Sequence, residues 1–185
     1  MTKKYNGIVL FGEMGSGKDT FAEILAELEP KFALYNIGYL CRELMKVAKV
    51  MPEWKDKDRE IGQLSSVKLR EIDVNILNYY THAKALESDS VPIIVGGRTM
   101  DDCEYWKNQN YLVVGVNVDY DIRIKRIKDR DTHFNVGSLS HITELDVPRI
   151  IENLCDVVVD NNGDLDALYN TASLFLKDYS NIIIK

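Results

Sequence analysis

Three glycines and a lysine within nine residues constrain this chain more than any other stretch. Gly12-Glu13-Met14-Gly15-Ser16-Gly17-Lys18-Asp19-Thr20 follows the apolar run Ile8-Val9-Leu10-Phe11 and leads into an amphipathic segment over 21–28. Strand, glycine-rich turn and helix, in that order, make a cradle for an anion. Glycine tolerates positive φ and carries no Cβ, so the backbone at Gly12, Gly15 and Gly17 can wrap closely around a ligand. The loop N–H groups and the first helical turn then face it with their partial positive charge. Lys18 adds a mobile charge able to reach the β- and γ-phosphates of a nucleotide. The pattern G-x-x-x-x-G-K-[ST] is met everywhere but its last position, where Asp19 stands and Thr20 follows. Gly12, Met14, Gly15, Ser16, Gly17, Lys18, Asp19 and Thr20 are therefore expected to hold a nucleoside triphosphate.

Beyond the loop, apolar runs alternate with helical stretches. Strands are expected at 8–11, 32–36, 91–95, 112–118 and 157–159. Helices are expected at 18–29, 39–50, 59–87 (one long stretch), 100–108, 121–129 and 164–177. That alternation predicts an α/β fold, a three-layer doubly wound parallel sheet of five strands with helices on both faces. At 185 residues the chain is expected to form one domain. The closing segment Asn181-Ile182-Ile183-Ile184-Lys185 is apolar and strand-like, with no partner legible in the sequence.

The net charge of −6 disfavours general nucleic-acid or anionic-membrane binding, so neither is expected as a partner. Cys41, Cys103 and Cys155 are odd in number, far apart and without a C-x-x-C spacing. Reduced thiols and a cytoplasmic setting are expected, with no disulfide frame and no zinc site. No apolar run approaches membrane-spanning length.

In sheets of this kind ligands bind beyond the carboxyl ends of the strands, so the residues just after each strand carry the information. After the second strand, Arg42 falls one turn into a helix, where its planar fork suits a phosphate. After the third, Gly96-Gly97-Arg98 brings the backbone close to a ligand and projects an arginine. Many phosphate-loop enzymes carry an acidic residue at this strand end to hold Mg²⁺, and Val95-Gly96-Gly97 has none. Asp19 lies where the usual hydroxyl meets the metal and is expected to take the Mg²⁺ role. After the fourth strand, Arg126 and Arg130 share one helix face and suit phosphate clamping and adenine stacking. Arg123, Lys125 and Lys128 read as a solvated basic face. The polar, glycine-containing stretch at about 131–145 is expected to be a short lid.

These stations together resemble the nucleoside monophosphate kinase branch of phosphate-loop proteins. The closest likeness is to the phage-type deoxynucleoside monophosphate kinases, on Gly17-Lys18-Asp19-Thr20, on Gly62-Gln63-Leu64 leading to Leu69-Arg70-Glu71-Ile72-Asp73, and on His141-Ile142-Thr143-Glu144-Leu145. The resemblance implies the P-loop NTPase fold, ATP and Mg²⁺ as cofactors, and a small-molecule phosphate acceptor. It places Arg42, Arg98 and Arg70 on the acceptor phosphate. It puts Lys18, Arg98, Arg126 and Arg130 on the transferring group, with Asn162 in a closing turn that reaches toward the adenine. Two departures stand out: Gly96 where an acid is usual, and Thr143 where that group has serine. Dephospho-coenzyme-A and phosphomevalonate kinases share the loop, the lid arginines and the closing Asn-Gly element, so another small-molecule acceptor stays open. A nucleotide-binding regulator without kinase activity stays open too, on the missing acid after the third strand.

Overall fold

The structure, a computed structural model, describes residues 3–48, 59–130 and 145–184. Five strands run parallel in the order β2-β3-β1-β4-β5. They are β1 (Ile8–Phe11), β2 (Phe32–Asn36), β3 (Val91–Gly97), β4 (Leu112–Asn117) and β5 (Val157–Asp160). The helices are α1 (Lys18–Leu28), α2 (Tyr39–Ala48), α3 (Arg59–Ile72), α4 (Ile76–Leu86), α5 (Met100–Asn108), α6 (Tyr120–Arg130), α7 (Val147–Asn153) and α8 (Leu165–Tyr179). The expected doubly wound sheet is what the chain forms.

Period-two alternation along the buried central strands β3, β1 and β4 explains the three layers. Ile8 and Leu10 of β1 join Phe21, Leu25, Leu168 and Phe175 in one core, so α1 and α8 cover that face. Val9 and Phe11 point the other way, to Cys41, Leu77, Cys103, Trp106 and Ile150, under α2, α4, α5 and α7. Each face is a dense apolar layer, and β1 is walled in by β3 and β4. The chain can leave β1 only at its carboxyl end, into the glycine loop.

Three local readings change. The stretch expected as one helix over 59–87 is two, because Asp73 accepts the Asn75 amide at 2.8 Å in a side-chain-closed turn that stops α3. α7 was not expected. Its signal was Pro148 in the first turn with Val147 and Ile150 three apart, both buried. The closing apolar segment finds its partner at the chain's start. Tyr5 donates to the Ile182 carbonyl at 2.7 Å, Ile184 donates back to Tyr5 at 2.8 Å, and Ile183 is buried in the core of the α1 and α8 face. The expected lid, at about 131–145, lies outside the described residues apart from its last position, Leu145. Among the described residues no helix is long and apolar enough to cross a membrane.

On the other face His82 sits among Trp106, Tyr105 and Tyr111, with ring centroids 5.3, 5.9 and 6.0 Å away, and its Nδ1 meets the Tyr105 hydroxyl at 2.9 Å. Burial lowers its pKa below the ordinary 6.5. The unfolded chain therefore takes up the proton more readily than the native state, and stability present above pH 6.5 is lost as the pH falls toward the lowered value. Melting followed from pH 7.5 to 5 should show a loss of stability that is smaller in His82→Gln than in wild type. An equal loss in both would show that His82 does not contribute.

Candidate functional site

The loop after β1 is wound as the glycines permit. Gly15 and Gly17 both take φ +84°, and Gly17 serves as the N-cap of α1 without a side-chain cap. Ser16 donates its amide to Glu13 O at 3.0 Å, and the Lys18 amide approaches Ser16 Oγ at 3.4 Å. Ser16 and Lys18 are buried, at 1% and 5% exposure. Met14 is buried as well, while Thr20 in the first turn of α1 is half-buried. A Cβ on Gly12 would strike Ser16 Oγ, and one on Gly17 would strike Asn161 Nδ2. Asn161 explains that second contact: it is buried at the exit of β5 and donates Nδ2 to Ser16 O at 2.8 Å. A side chain 145 residues away thus closes the loop.

Asp19 stands beside Lys18, with Oδ2 3.3 Å from Nζ, and its side chain is 59% exposed. Among the described residues no group of three or more His, Cys, Asp or Glu could hold a metal. A single exposed carboxylate at the mouth of the loop suits Mg²⁺, which keeps several waters and takes its other ligands from phosphate oxygens. Asp19 fits that ion, and no all-protein cage is needed.

Around this loop the sheet's carboxyl edge gathers the other stations. Phe11 pairs with Gly97 and Asn36 with Val95, so the exits of β1, β2 and β3 share one edge. Asn36 Oδ1 accepts the Gly38 amide at 2.8 Å and lies 3.4 Å from where a Cβ on Gly96 would be. Gly96 has φ +92°, and Gly97 packs against the Phe11 ring, where a Cβ would come within 2.6 Å. Backbone conformation thus calls for glycine at 96, and the Phe11 ring leaves no room for a side chain at 97. Arg42 is half-buried in the first turn of α2, with its guanidinium 5.5 Å over the Tyr39 ring.

Arg98 is held through its backbone. Its amide and that of Thr99 donate to Asp102 Oδ2, at 2.9 and 3.1 Å. Asp102, at 0% exposure, also takes two hydrogen bonds from Arg70 Nη2 at 2.9 and 3.0 Å and one from Asn78 Nδ2 at 2.9 Å. Trp106 Nε1 completes the chain by donating to Asn78 Oδ1 at 3.0 Å. Arg70 Nη1 donates to Ser66 Oγ as well. The guanidinium of Arg70 is therefore engaged from α3 into α5, behind the Arg98 turn, and its Nε is buried without a hydrogen-bond partner among the described residues.

On the other side, Arg126 donates Nη1 to Asn161 O at 2.9 Å and Nη2 to Gly163 O at 2.6 Å. Its fork therefore lies on the closing turn. Asn162 faces elsewhere: its side chain accepts the Asp119 amide at 2.7 Å and approaches Asp119 Oδ1 at 3.3 Å. Arg130 is exposed at the last turn of α6.

An AAA domain profile matches residues 8–136, more than half of the chain. The chain belongs to the AAA domain family. Solved structures share the fold of this AAA domain over nearly its whole length. TT1252 from Thermus thermophilus superposes with a TM-score of 0.64 at 14% identity, covering 96% of this chain and 98% of the other. A gluconokinase from Sinorhizobium meliloti gives 0.56 at 19% identity, with 97% of each chain covered. A shikimate kinase from Acinetobacter baumannii, in complex with shikimate, gives 0.56 at 19%, covering 97% of this chain and 95% of that one. No curated protein matches the chain significantly.

Three residues of this AAA domain that sequence reasoning missed lie at the site. Asn161 rather than its neighbour touches the loop, and nothing in the Asn161-Asn162 pair separates them in sequence. Asp102 had a legible signal, as the third helical residue after Thr99 in a capping box. Arg123 was expected to be solvated, but it is buried at 6% exposure and pairs with Glu13 at 2.7 Å.

Replacing Asp102 by Ala would strand the Arg70 charge in a buried setting, which costs about 3–5 kcal/mol. Urea unfolding should show that loss. A change under about 1 kcal/mol would mean that the pair contributes no more than an exposed one.

Proposed function

We propose that this protein is an ATP-dependent kinase that passes the γ-phosphoryl group to a small-molecule acceptor. The observation that carries the reading is the tightly wound loop 12–20, with Lys18 buried in it at the end of the central strand. The shikimate kinase and gluconokinase superpositions support this broad reading. They favour a small-molecule kinase in general over the deoxynucleoside monophosphate kinase expected from the sequence.

Transfer of this kind is catalysed by positioning and charge stabilisation. In this reading Lys18 and the amides of residues 15–18 hold the β- and γ-phosphates. Asp19 holds Mg²⁺, which when bound neutralises charge shared between those phosphates. Arg126 and Arg130 cover the donor from α6, with the 161–163 turn beside the base. Arg42 and Arg98 orient the acceptor, and Asp102 keeps the Arg98 turn in place.

One observation favours an acceptor that carries a phosphate, such as a nucleoside monophosphate or dephospho-coenzyme A. A hydroxyl acceptor needs a general base, and a phosphate oxygen, already anionic near neutral pH, does not. The exits of β2 and β3 carry Asn36 and Gly96-Gly97-Arg98 in place of a carboxylate.

An ADP-release assay with ATP and Mg²⁺ tests both levels. Its panel is six nucleoside monophosphates, dephospho-coenzyme A, shikimate and gluconate. Turnover that depends on any acceptor supports the kinase, and the identity of that acceptor decides the second level. ATP binding without acceptor-dependent turnover would favour a regulator. Lys18→Ala should reduce turnover at least a thousandfold with an unchanged melting temperature, since this lysine's charge is the chief one on the transferring phosphoryl. Arg98→Ala should raise the acceptor KM or lower kcat tenfold or more, with ATP affinity changed less than about threefold. A fall in ATP affinity with intact acceptor kinetics would move Arg98 to the donor side.

A further inference from the structure

The phosphate loop contains a carboxylate of its own. Glu13 follows the first glycine, so a negative charge lies within a segment wrapped to receive another one. Like charges at such range cost several kcal/mol unless a cation offsets them. Arg123, from α6, supplies the cation: Nη1 lies 2.7 Å from Glu13 Oε1, with side-chain exposures of 8% for the arginine and 29% for the glutamate. Its guanidinium rests 5.4 Å from the centre of the Tyr120 ring, and its Nε is buried without a hydrogen-bond partner among the described residues. The arginine stem lies against the loop itself, since a Cβ on Gly15 would meet Arg123 Cγ at 2.9 Å and Ile127 Cγ1 at 2.7 Å. The absence of a side chain at Gly15 is what lets α6 sit this close.

We propose that Arg123 is a positioning residue for the nucleotide. It cancels the Glu13 charge inside the phosphate loop and seats α6 on that loop, so that Arg126 and Arg130 project from a fixed base. The inference deepens the nucleotide-binding reading of the loop and rests on it. Two ties hold the helix: the buried ion pair at Arg123 and the two Arg126 bonds to the 161–163 turn. The first joins two opposite charges that can be removed one at a time, while the second leaves the Arg126 charge in place.

The charge argument gives the two partners opposite signs. Arg123→Met leaves the carboxylate uncompensated, so MgATP binding should weaken at least tenfold. Glu13→Gln leaves an extra cation beside the phosphates, so binding should be as tight as in wild type or a few-fold tighter. The double variant removes both charges and should return to within about threefold of wild type. A purely structural tie predicts another pattern, with both single variants weaker and the double variant no better than the worse of them.

Calorimetric titration of MgATP into wild type and the three variants, with melting curves to verify folding, measures this directly without turnover. Opposite signs, with recovery in the double variant, support the inference. Arg123→Met binding within twofold of wild type, or Glu13→Gln weakened more than fivefold, overturns it. If Arg123→Met does not fold, Glu13→Gln still decides by its sign. Wild type that binds no MgATP overturns the nucleotide reading beneath, an outcome distinct from every variant pattern above.

Discussion

A side-chain hydrogen bond, from Asn161 Nδ2 to the Ser16 carbonyl, joins the exit of the last strand to the loop after the first. The loop needs such a tie. Its backbone turns left-handed at Gly15 and Gly17, which exposes carbonyls that a helix or strand would have satisfied. Ser16 is buried there, so its carbonyl takes its hydrogen bond from a protein group. Parallel order brings every strand exit to the same edge, and β5 reaches the loop because β4 lies between it and β1. The sheet topology and the loop conformation are therefore one problem with one solution.

The arginines around this loop differ in what holds them. Arg70 and Arg123 are nearly out of water, and each has a carboxylate partner from a different element. Arg126 is held by backbone carbonyls, while Arg42 lies over a tyrosine ring. Buried ion pairs stabilise little in net terms, but they tolerate few alternative arrangements, because breaking one leaves a bare charge. They set geometry. The backbone and ring contacts that hold Arg126 and Arg42 bring no opposite charge. On one flank of the loop Arg70 lies behind the Arg98 turn, and on the other Arg123 precedes Arg126 on α6.

How much of this was legible in the sequence depends on range. The strands, the loop and the layers could be read because period-two alternation and glycine spacing are local signals. The break at Asp73 was missed because an Asx turn inside a helical pattern looks like a helical residue, and α7 because it is short and follows a polar stretch. Arg42, Arg98 and Arg126 could be placed after their strands by topology alone. Asp102 and Asn161 matter through partners 32 and 145 residues distant, and a single sequence does not encode such pairings visibly. Arg123 shows the limit most clearly. In composition it is one more cation on a basic helix, and only the absence of a side chain at Gly15 draws it under the loop.

The pairing of Tyr5 with Ile182 and Ile184 lies at the amino edge of the sheet, opposite the crevice. Tyr5 and Ile183 lie side by side there. A fluorophore or an affinity handle placed beside Tyr5 or Ile184 would therefore hang away from the glycine loop. A spacer joining the backbone near Tyr5 to that near Ile184, with the chain opened elsewhere, would likewise leave the edge that carries the glycine loop uncrossed.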